Sequence, residues 1–525
     1  MGVVGLGASA GGIAVLQHFF ERMPNDSGLA FVVVMHLSPE HESNLAQVLQ
    51  TVTSMPVIQV QDAVRTKANC VYVIPPNKHL AMQESTLCLS EPQQAPGRRV
   101  AIDLFFRTLA QVYGQRAVCA VLSGTDSDGV IGLKYVKAQG GVTIAQDPDE
   151  AEYDSMPRRA IETGMVDWVL PVRQIPKKLV EFVRNERRME LPPEKIGGEV
   201  EQEQEEAPGR KIVAQETHAA DDESALQEVL VYLRSQTGHD FSHYKRAKVL
   251  RRIARRLQVN SLVNIPAYLE FLRSHGGEPD ALLHDLLIGV THFFRDRDAF
   301  TALEANVPQL FAGKQPNDQV RAWVSGCATG EEAYSLAMLL SEQAGKLDAA
   351  PSIQIFATDI DDEAITAARA AAYPLTIEAD VSQEHLRRFF VREQGHYRIK
   401  KEIREMVLFA PHDLLKDPPF SRLDLVSCRN LLIYLKRQRQ ERVLDIFHFA
   451  LKAGGLLFIG GSESVDGANA LFSAIDKRHH IYLRRAVPRP GWMIPALPAR
   501  QRPVRETARP RPTPSRSLAL TRRRG

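Results

Sequence analysis

The sequence predicts an α/β fold made of two doubly wound parallel-sheet domains with a small all-helical domain between them. From residue 1 to about residue 188, short apolar runs alternate with stretches of helical periodicity, which is typical of βαβ units. Residues 224 to about 310 show helical periodicity alone, and the alternation resumes at Val320. The chain has 525 residues, which is too long for one hydrophobic core.

We expect five segments along the chain. They are a first α/β domain (1–188), an acidic linker (189–223), a helical domain (224–311), a second α/β domain (312–487) and a disordered Arg/Pro-rich tail (488–525). The linker is predicted because five glutamates fall within residues 199–206, and a segment this polar cannot bury enough apolar surface to fold.

The composition indicates a soluble globular protein, with 44% hydrophobic and 24% charged residues. No apolar run approaches the roughly 18 residues of a membrane-spanning helix. The five cysteines are scattered without a CxxC pair or a neighbouring histidine at ligand spacing, so we expect reduced thiols, a cytoplasmic location and no metal site. The net charge of +2 gives no indication of a nucleic-acid partner.

A serine follows the first apolar run, Val3 to Leu6. The segment Gly7-Ala8-Ser9-Ala10-Gly11 fits G-x-S-x-G, in which a sharp turn between strand and helix presents a nucleophilic hydroxyl. Residues Gly5 to Ala10 also fit the degenerate dinucleotide pattern G-x-G-x-x-G/A. Taken alone, this segment supports Ser9 as a nucleophile and a phosphate loop equally.

The end of the second apolar run favours hydrolysis. Phe31 to Met35 lead into His36, whereas a dinucleotide site would place an acid there to bind the ribose. His36 is therefore the candidate general base. His41 and His79 are weaker rivals, because one falls in a loop and the other follows a Pro-Pro turn.

Two aspartates compete for the third position. The run Val118 to Leu122 is followed by a turn that contains Asp126 and Asp128 between Gly124 and Gly129. The glycines permit a tight turn, whose backbone N–H groups could stabilise an oxyanion. An Asp-rich turn that only caps the next helix is the alternative.

Residues 1–188 resemble the catalytic domain of the chemotaxis receptor methylesterase, the CheB-like family. The matching segments are GASAGG, VMHLSPEHESNLAQVL, YVIPPNKHL, IDLFFRTLA, LSGTDSDGVIGL and MPRRAIETGMVDWVLP. The resemblance implies a catalytic triad of Ser9, His36 and Asp128, hydrolysis of protein-glutamate methyl esters and, as a further activity, glutamine deamidation. The chain departs from the family pattern at Ala10 and at Gly124-Thr125-Asp126, which bears on the oxyanion site.

A second ligand site is predicted where the alternation resumes. A turn containing Gly326 and Gly330 follows a strand, and a second strand ends at Asp359. Glycines allow the backbone to approach a ligand closely, and a carboxylate at that position can accept both hydroxyls of a ribose. Without a GK[ST] sequence to bind a triphosphate, the pair indicates an adenosine-containing cofactor.

The segment from Ala225 to Arg485 resembles the chemotaxis receptor methyltransferase, the CheR-like family. The matches are FSHYKRAKVLRRIARRL, VTHFFRD, GCATGEEAYSLAM, IFATDID and SCRNLLIYL. The resemblance implies S-adenosylmethionine as cofactor, bound by Thr291, Arg295, Glu332, Asp359, Asp413, Leu414, Asn430 and Leu431. The chain departs from the family pattern at Gly289 and at Asp413, where asparagine is usual in the family.

Arg295 is also our candidate for orienting the acceptor carboxylate by a paired hydrogen bond, with Tyr434 lining the same pocket. The alternatives are an interdomain salt bridge for Arg295 and a packed aromatic ring for Tyr434. Positioning should dominate catalysis, because a glutamate carboxylate is already ionised.

A basic amphipathic helix is predicted at the start of the helical domain. Val249, Ile253 and Leu257 form its apolar stripe. Its basic residues are Lys245, Arg246, Lys248, Arg251, Arg252, Arg255 and Arg256. A solvated face is one interpretation, and the family resemblance implies an acidic helical chemoreceptor as partner, which would associate the protein with the membrane indirectly. The absence of interleaved aromatic residues gives no support to a specific nucleic-acid site.

Together these features predict a bifunctional enzyme of sensory adaptation, which makes glutamate methyl esters on chemoreceptor-type proteins and hydrolyses them. Two other classes compete with this prediction. One is a pair of unrelated small-molecule enzymes joined by a linker, and the other is a catalytically silent signalling scaffold.

Overall fold

The computed structural model describes residues 1–36, 43–91, 100–192 and 212–487, with the backbone alone for 212–220. Residues Met1–Ala486 form one compact unit. The predicted tail, His41 and most of the predicted linker lie outside the described residues.

The first half alternates strands and helices as predicted. Its strands are β1 (Val3–Ala8), β2 (Ala30–Met35), β3 (Val57–Gln59), β4 (Val64–Arg65), β5 (Val71–Val73), β6 (His79–Gln83), β7 (Thr86–Ser90), β8 (Ala117–Val121), β9 (Val142–Gln146) and β10 (Trp168–Leu170). Its helices are α1 (Gly12–Arg22), α2 (Leu45–Gln50), α3 (Ala101–Tyr113), α4 (Val130–Ala138), α5 (Ser155–Glu162) and α6 (Ile175–Glu186), with short 3₁₀ helices at Gly114–Arg116 and Val172–Gln174.

Seven of these strands form one parallel sheet in the order β10-β9-β8-β1-β2-β5-β3, and β4, β7 and β6 form a small antiparallel sheet. Strands β1, β2, β8 and β9 are buried along their whole length, with a hydrophobic cluster on each face of the sheet. This burial explains their nearly continuous apolar sequences.

Between the sheets lies a helical domain with its own core. It contains α7 (Ile212–Thr237), a 3₁₀ helix (Phe241–His243), α8 (Arg246–Val259), α9 (Ile265–Ser274) and α10 (Glu278–Leu287). The predicted stripe Val249, Ile253 and Leu257 is buried in this core. Helix α9 begins where the Asn264 side chain accepts a hydrogen bond from the backbone N–H of Ala267, a common N-cap.

The second half contains the other doubly wound sheet. Its helices are α11 (Arg297–Asn306), α12 (Pro308–Phe311), α13 (Glu331–Ala344), α14 (Asp362–Ala370), α15 (Gln383–Phe389), α16 (Lys401–Arg404) and α17 (Arg437–Ala450), with 3₁₀ helices at Leu375–Ala379, Leu432–Tyr434 and Asp466–Ala468. Its strands are β11 (Gln319–Ser325), β12 (Ser352–Asp359), β13 (Ala372–Pro374), β14 (Phe390–Glu393), β15 (His396–Ile399), β16 (Val407–Pro411), β17 (Leu423–Cys428), β18 (Leu451–Ile459), β19 (Phe472–Asp476) and β20 (Ile481–Arg484).

The strand order of this sheet is β16-β12-β11-β17-β18-β20-β19, and β13, β15 and β14 form a separate antiparallel sheet. The first five strands are parallel, whereas β20 and β19 are antiparallel additions that we had not predicted. Helices α11 and α12, which we had assigned to the helical domain, contribute side chains to the core of this half. The predicted fold class is confirmed.

The interpretation of the basic residues of α8 as a solvated face is wrong for three of its arginines. Arg252, Arg255 and Arg256 are between 2% and 8% exposed. Arg252 donates to the carbonyl oxygen of Lys137 (3.0 Å) in the first α/β domain. A guanidinium group is buried at this depth only where acceptors surround it, so this face of α8 is an internal interface.

Arg255 lies at the centre of that interface. It donates to the carboxylates of Asp167 and Asp285 and to the carbonyl oxygen of Gly141 (3.0 Å). Lys137 also lies 3.3 Å from Asp167. Burial alone would raise the pKa of Asp167, but Arg255 and Lys137 lower it to about 2.

We expect Arg255→Met to lower the free energy of unfolding by about 3–5 kcal/mol, because it leaves buried carboxylates without their main partner. Denaturant unfolding of the full chain measures the change. Lys245→Met, at an exposed position, is the matched control and should change stability by no more than about 0.5 kcal/mol.

The decrease in the free energy of unfolding caused by Arg255→Met should also depend on pH. Since the pKa of Asp167 falls from 3.8 to about 2 on folding, its ion pair contributes fully above pH 3.8, and that contribution disappears as the pH falls towards 2. A difference between Arg255→Met and the parent chain that is the same at pH 7 and pH 2.5 would contradict this account.

Candidate active sites

Ser9 and His36 lie at the same edge of the first sheet. They follow β1 and β2, whose last residues, Ala8 and Met35, are paired in register. Adjacent strands are about 4.8 Å apart, so the two side chains start from neighbouring positions. The backbone N–H of His36 donates to the carbonyl oxygen of Ala8 (3.4 Å), and that of Ser9 donates to the carbonyl oxygen of Ser123 (2.9 Å) after β8.

His36 is hydrogen-bonded to Asp128. The imidazole Nε2 lies 2.8 Å from the Oδ2 of Asp128, whose carboxylate is fully buried. Because an ionised carboxylate only accepts hydrogen bonds, Nε2 carries the proton and Nδ1 carries the lone pair. Within the described ranges, Nδ1 is buried and has no hydrogen-bond partner.

The first turn of α3 holds Asp128 in place. The backbone N–H groups of Ile102 and Asp103 donate to its Oδ2 and Oδ1 at 2.9 and 2.8 Å. These N–H groups have no partner inside their own helix, and the positive end of the helix dipole favours a carboxylate there. The competing Asp126 instead accepts from the N–H of Ser127 (2.8 Å) in its own turn.

The glycines of the alternative phosphate-loop pattern allow α3 to pack closely against β1. Gly5 and Gly7 lie within β1, and a Cβ at these positions would come within 2.8 Å of Phe106 and 2.5 Å of Ile102 on α3. A dinucleotide loop needs its glycines in the turn between strand and helix. The positions of Gly5 and Gly7 therefore favour the hydrolase interpretation of Ser9.

The turn that follows β8 passes close to Ser9. A Cβ on Gly124 would lie 2.9 Å from the Cβ of Ser9. The N–H of Gly124 donates to the carbonyl oxygen of Tyr153 (2.9 Å), and that of Ser127 is used within the turn. Two of the backbone amides of the turn that we had expected to help stabilise an oxyanion are therefore already hydrogen-bonded.

A buried acid beside the His36–Asp128 pair was not predicted. Asp103 is 5% exposed, and its Oδ1 accepts from the N–H of Gly132 (2.6 Å). Burial and the neighbouring Asp128 raise the pKa of Asp103 well above its ordinary range. The sequence held a signal, since Asp103 shares the apolar face of α3 with Ile102 and Phe106.

We expect Asp103→Asn to stabilise the protein at high pH. At neutral pH the unfolded carboxyl is ionised, so folding must take up a proton. The stability contribution of Asp103 is complete below pH 3.8 and is lost as the pH rises towards the raised pKa of the folded state.

Thermal unfolding at pH 3.5 and pH 8 measures this effect, with Asp62→Asn at an exposed position as the control. A difference in melting temperature between Asp103→Asn and the parent chain that does not grow between the two pH values would contradict it.

The predicted cofactor turn wraps around the end of β12. The N–H groups of Gly326 and Cys327 donate to the carbonyl oxygen of Thr358 at 2.8 and 3.0 Å, and that of Ala328 donates to Oδ2 of Asp359 at 2.7 Å. Gly326 and Gly330 adopt positive φ angles of 73° and 93°, which glycine tolerates without strain. Burial raises the pKa of Asp359.

A cleft opens beside this turn, with walls from the helical domain and the second sheet. Of the predicted cofactor residues, Asp359, Asp413, Leu414 and Leu431 line it. The other lining residues are Asp240, His243, Tyr244, Ser325, Gly326, Ile360, His412, Leu415, Lys416 and Leu435. The cleft holds about 60 Å³.

The lining residues fit an adenosine-containing cofactor. Asp359 accepts two backbone hydrogen bonds, from Ala328 and Asp361, and a carboxylate has about four acceptor positions, which leaves capacity for ribose hydroxyls. Leu414 and Leu431 provide apolar surface for a base. Asp413 is paired with Lys416 (3.1 Å), which offsets the extra negative charge at this position.

The remaining predicted residues do not line the cleft. The Glu332 carboxylate accepts from the Ser427 hydroxyl (2.6 Å) and from Arg429 (3.4 Å). Asn430 has a positive φ of 59° and donates its backbone N–H to Glu463. Thr291 is partly buried in the segment between α10 and α11. In the same segment, a Cβ on Gly289 would lie 3.3 Å from the Cβ of Ala328.

The two candidates for binding the methyl acceptor also lie outside the cleft lining. Arg295 donates one hydrogen bond to the carbonyl oxygen of Val290 (2.6 Å). The ring of Tyr434 faces the ammonium group of Lys248, 5.7 Å away, and its carbonyl oxygen accepts from the N–H of Lys245 (2.7 Å). The two contacts of Tyr434 join α8 and the residue before it to the second α/β domain.

The wall formed by Asp240, His243 and Tyr244 was missed from sequence. Tyr244 pairs with Leu435 in an isolated bridge, and the N–H of Lys436 donates to the carbonyl oxygen of His243 (3.0 Å). The available signal in the sequence was a histidine and a tyrosine, His243 and Tyr244, between α7 and α8.

Among the described residues, no group of three His, Cys, Asp or Glu side chains is placed to hold a metal ion. No helix within the described part of the chain combines the length and the apolar character needed to cross a membrane.

The first site has a strand-end serine near a hydrogen-bonded histidine and aspartate, and the second is a cleft lined by Asp359. Comparisons with known proteins place the domains that carry them in families. Residues 4–179 match the family model of the CheB methylesterase. Residues 224–287 match that of the CheR methyltransferase all-alpha domain, and residues 289–481 match that of its SAM-binding domain.

Similar proteins agree with these matches. A Leptospira interrogans protein provisionally named protein-glutamate methylesterase/protein-glutamine glutaminase is 32% identical over 181 residues, 34% of this chain and 94% of its own length. The Escherichia coli K12 chemotaxis protein methyltransferase is 33% identical over 260 residues, 47% of this chain and 84% of its own length. The chain therefore belongs to the CheB methylesterase and CheR methyltransferase families, whose domains it joins in one polypeptide with S-adenosylmethionine as cofactor.

A relative that spans both halves is longer than this chain. The "uncharacterized 104.1 kDa protein in hypE 3′ region" of Rhodobacter capsulatus is 38% identical over 445 residues, which are 83% of this chain and 46% of that protein. The chain thus matches less than half of that relative's length.

Proposed function

We propose that this protein is a bifunctional enzyme that forms methyl esters of glutamates on chemoreceptor-type signalling proteins and hydrolyses them. The observation that carries the proposal is the His36–Asp128 hydrogen bond at the strand end next to Ser9, in the same chain as a cleft that holds Asp359. The names of the Leptospira and Escherichia coli relatives support the substrate class.

In the hydrolysis, Nδ1 of His36 takes the proton of the Ser9 hydroxyl as its oxygen attacks the ester carbonyl. Asp128 holds the imidazole in the required tautomer and stabilises the imidazolium. His36 then returns the proton to the departing methanol, and water releases the glutamate from Ser9. Such general base and acid catalysis contributes about 10²- to 10⁴-fold in rate.

The same attack on an amide carbonyl would release ammonia from glutamine. The name of the Leptospira relative includes this activity, and we extend the proposal to it.

For the synthesis, S-adenosylmethionine supplies an electrophilic methyl group when bound. Asp359 would accept the ribose hydroxyls, and Leu414 and Leu431 would contact the base. Arg295 uses one of its five N–H donors on Val290, and the others can orient the acceptor carboxylate. Thr291, Glu332, Asp413 and Asn430 would support the cofactor from around the cleft, and Tyr434 would line the acceptor pocket.

The proposed effect on the receptor is electrostatic. Each methylation removes one negative charge, and at an effective dielectric of about 20 two carboxylates about 8 Å apart repel by about 2 kcal/mol. An energy of this size shifts an equilibrium between two signalling states. The partner would be an acidic helical receptor segment on the cytoplasmic side of the membrane, so that membrane association is indirect.

The part of α8 that remains accessible supports such a partner. Lys245 is exposed, and Lys248 and Arg251 are partly exposed, whereas Arg252, Arg255 and Arg256 are used inside the protein. An acidic helix would therefore bind near the start of α8, where charge complementarity is still available.

The two activities can be separated by single substitutions in the full chain. We expect Ser9→Ala to lower methanol release from a pre-methylated receptor fragment by at least about 10³-fold while label from S-adenosylmethionine still accumulates as base-labile ester. Asp359→Asn should abolish labelling and leave methanol release intact.

Ser274→Ala and Asp348→Asn, both at exposed positions, are the matched controls and should retain both activities. Label that enters small acids but never protein would overturn the proposed substrate. Methanol release that persists in Ser9→Ala would overturn the assignment of the nucleophile.

A further inference from the structure

The segment between α10 and α11 contacts the first α/β domain as well as the second. It carries Thr291 and Arg295, which we propose to act in methyl transfer. Val290 packs against the hydrophobic cluster on one face of the first sheet, and its carbonyl oxygen accepts the hydrogen bond from Arg295 (2.6 Å). The guanidinium of Arg295 is therefore bound to a residue that is anchored in the first α/β domain.

An ion pair joins the first α/β domain to the same region. The two terminal nitrogens of Arg107 on α3 donate to the carboxylate of Asp380, at 2.9 and 3.3 Å. The two side chains are only 20% and 11% exposed, and the guanidinium lies over the ring of Tyr135 on α4, 4.8 Å from its centroid. A two-bonded, partly buried pair of this kind fixes its partners more firmly than a single contact on the surface.

Asp380 is linked in turn to the chain on both sides of Arg295. Its Oδ1 lies 3.9 Å from Nδ1 of His292, and its carbonyl oxygen accepts a hydrogen bond from Arg297 (3.4 Å). The segment that carries Arg295 thus meets the residue that α3 holds.

The backbone next to Arg295 needs such support. Phe294 and Asp296 adopt positive φ angles of 50° and 59°, in the left-handed region that residues with a side chain disfavour. A conformation of this kind persists only where the surrounding contacts fix it. The N–H of Phe294 donates to the Ser335 hydroxyl on α13 (3.0 Å), so the segment is fixed between α13 and the first α/β domain.

We propose that Arg107 is a positioning residue for methyl transfer, although it belongs to the domain that carries Ser9. Through Asp380 it holds residues 290–296, and with them the guanidinium of Arg295, where that group orients the acceptor carboxylate. This inference rests on the function proposed above for Arg295. The methyltransferase site is then complete only while the first α/β domain is docked against it, so one folded unit carries both opposed activities.

Arg107→Met in the full chain removes the charge and keeps the apolar part of the side chain. We expect kcat for the labelling of a receptor fragment to fall by about 10- to 100-fold, because a displacement of about 1 Å from a distant substitution can cost about 10²-fold. The stoichiometry of S-adenosylmethionine binding, measured by calorimetry, should be unchanged, which separates a displaced Arg295 from unfolded protein.

Two further variants test the pair itself. Arg107→Lys keeps the charge but not the paired donors, so its kcat should lie between those of the parent chain and Arg107→Met. Asp380→Asn should lower kcat in the same way, and the double variant Arg107→Met, Asp380→Asn should be no worse than the weaker single variant, because both changes remove one interaction.

Arg158→Met is the matched control. Arg158 also pairs with a carboxylate of the first α/β domain, Asp154, but these side chains are 53% and 46% exposed, so kcat should stay within about 2-fold of the parent value. Hydrogen exchange of the backbone amides of residues 290–297, measured without substrate, should be faster in Arg107→Met and unchanged in Arg158→Met.

An active parent chain whose kcat is unchanged in Arg107→Met would overturn this inference and leave the proposed function standing. Additive effects of the two single substitutions, or equal hydrogen exchange in Arg107→Met and the parent chain, would do the same. A parent chain that forms no protein ester would instead overturn the proposed function and, with it, the role of Arg107.

Discussion

The ion-pair cluster around Arg255 is the interaction on which the arrangement of residues 1–486 depends. Its guanidinium group is fully buried, with Asp167 from the first α/β domain on one side and Asp285 from α10 on the other. A charge at this depth is tolerated only while it is paired. Separation of the helical domain from the first α/β domain would break the buried contact between Arg255 and Asp167, so this pair holds the two domains together.

Much of the first candidate site could be predicted because its signals in the sequence are local. Ser9 and His36 each follow directly on an apolar run, and parallel strands bring their ends to one edge. The choice between Asp126 and Asp128 could not be made from the turn itself. It depends on the first turn of α3, about 25 residues earlier in the chain, whose free N–H groups select Asp128.

The second half was predicted less completely, because its cleft is built by segments distant in sequence. The turn that contains Gly326 and Gly330 follows β11, and Asp359 ends the adjacent strand β12. A glycine turn after one strand and an acid at the end of the next form a pattern that can be recognised in the sequence. The wall of the cleft formed by His243 and Tyr244 exists only because the segment before α8 pairs with Leu435, nearly two hundred residues away. The burial of Arg252 and Arg255 depends in the same way on acceptors in the first α/β domain, which no helical periodicity can reveal.

The close packing of α3 on β1 links the interior of the first domain to its chemistry. The N–H that holds Oδ2 of Asp128 belongs to Ile102, the same residue whose side chain lies where a Cβ on Gly7 would be. A single added methyl group at Gly7 would displace the start of the helix and, with it, the carboxylate that orients the imidazole. Damage to the proposed hydrolysis can thus arise inside the core, from a residue that never meets the ester.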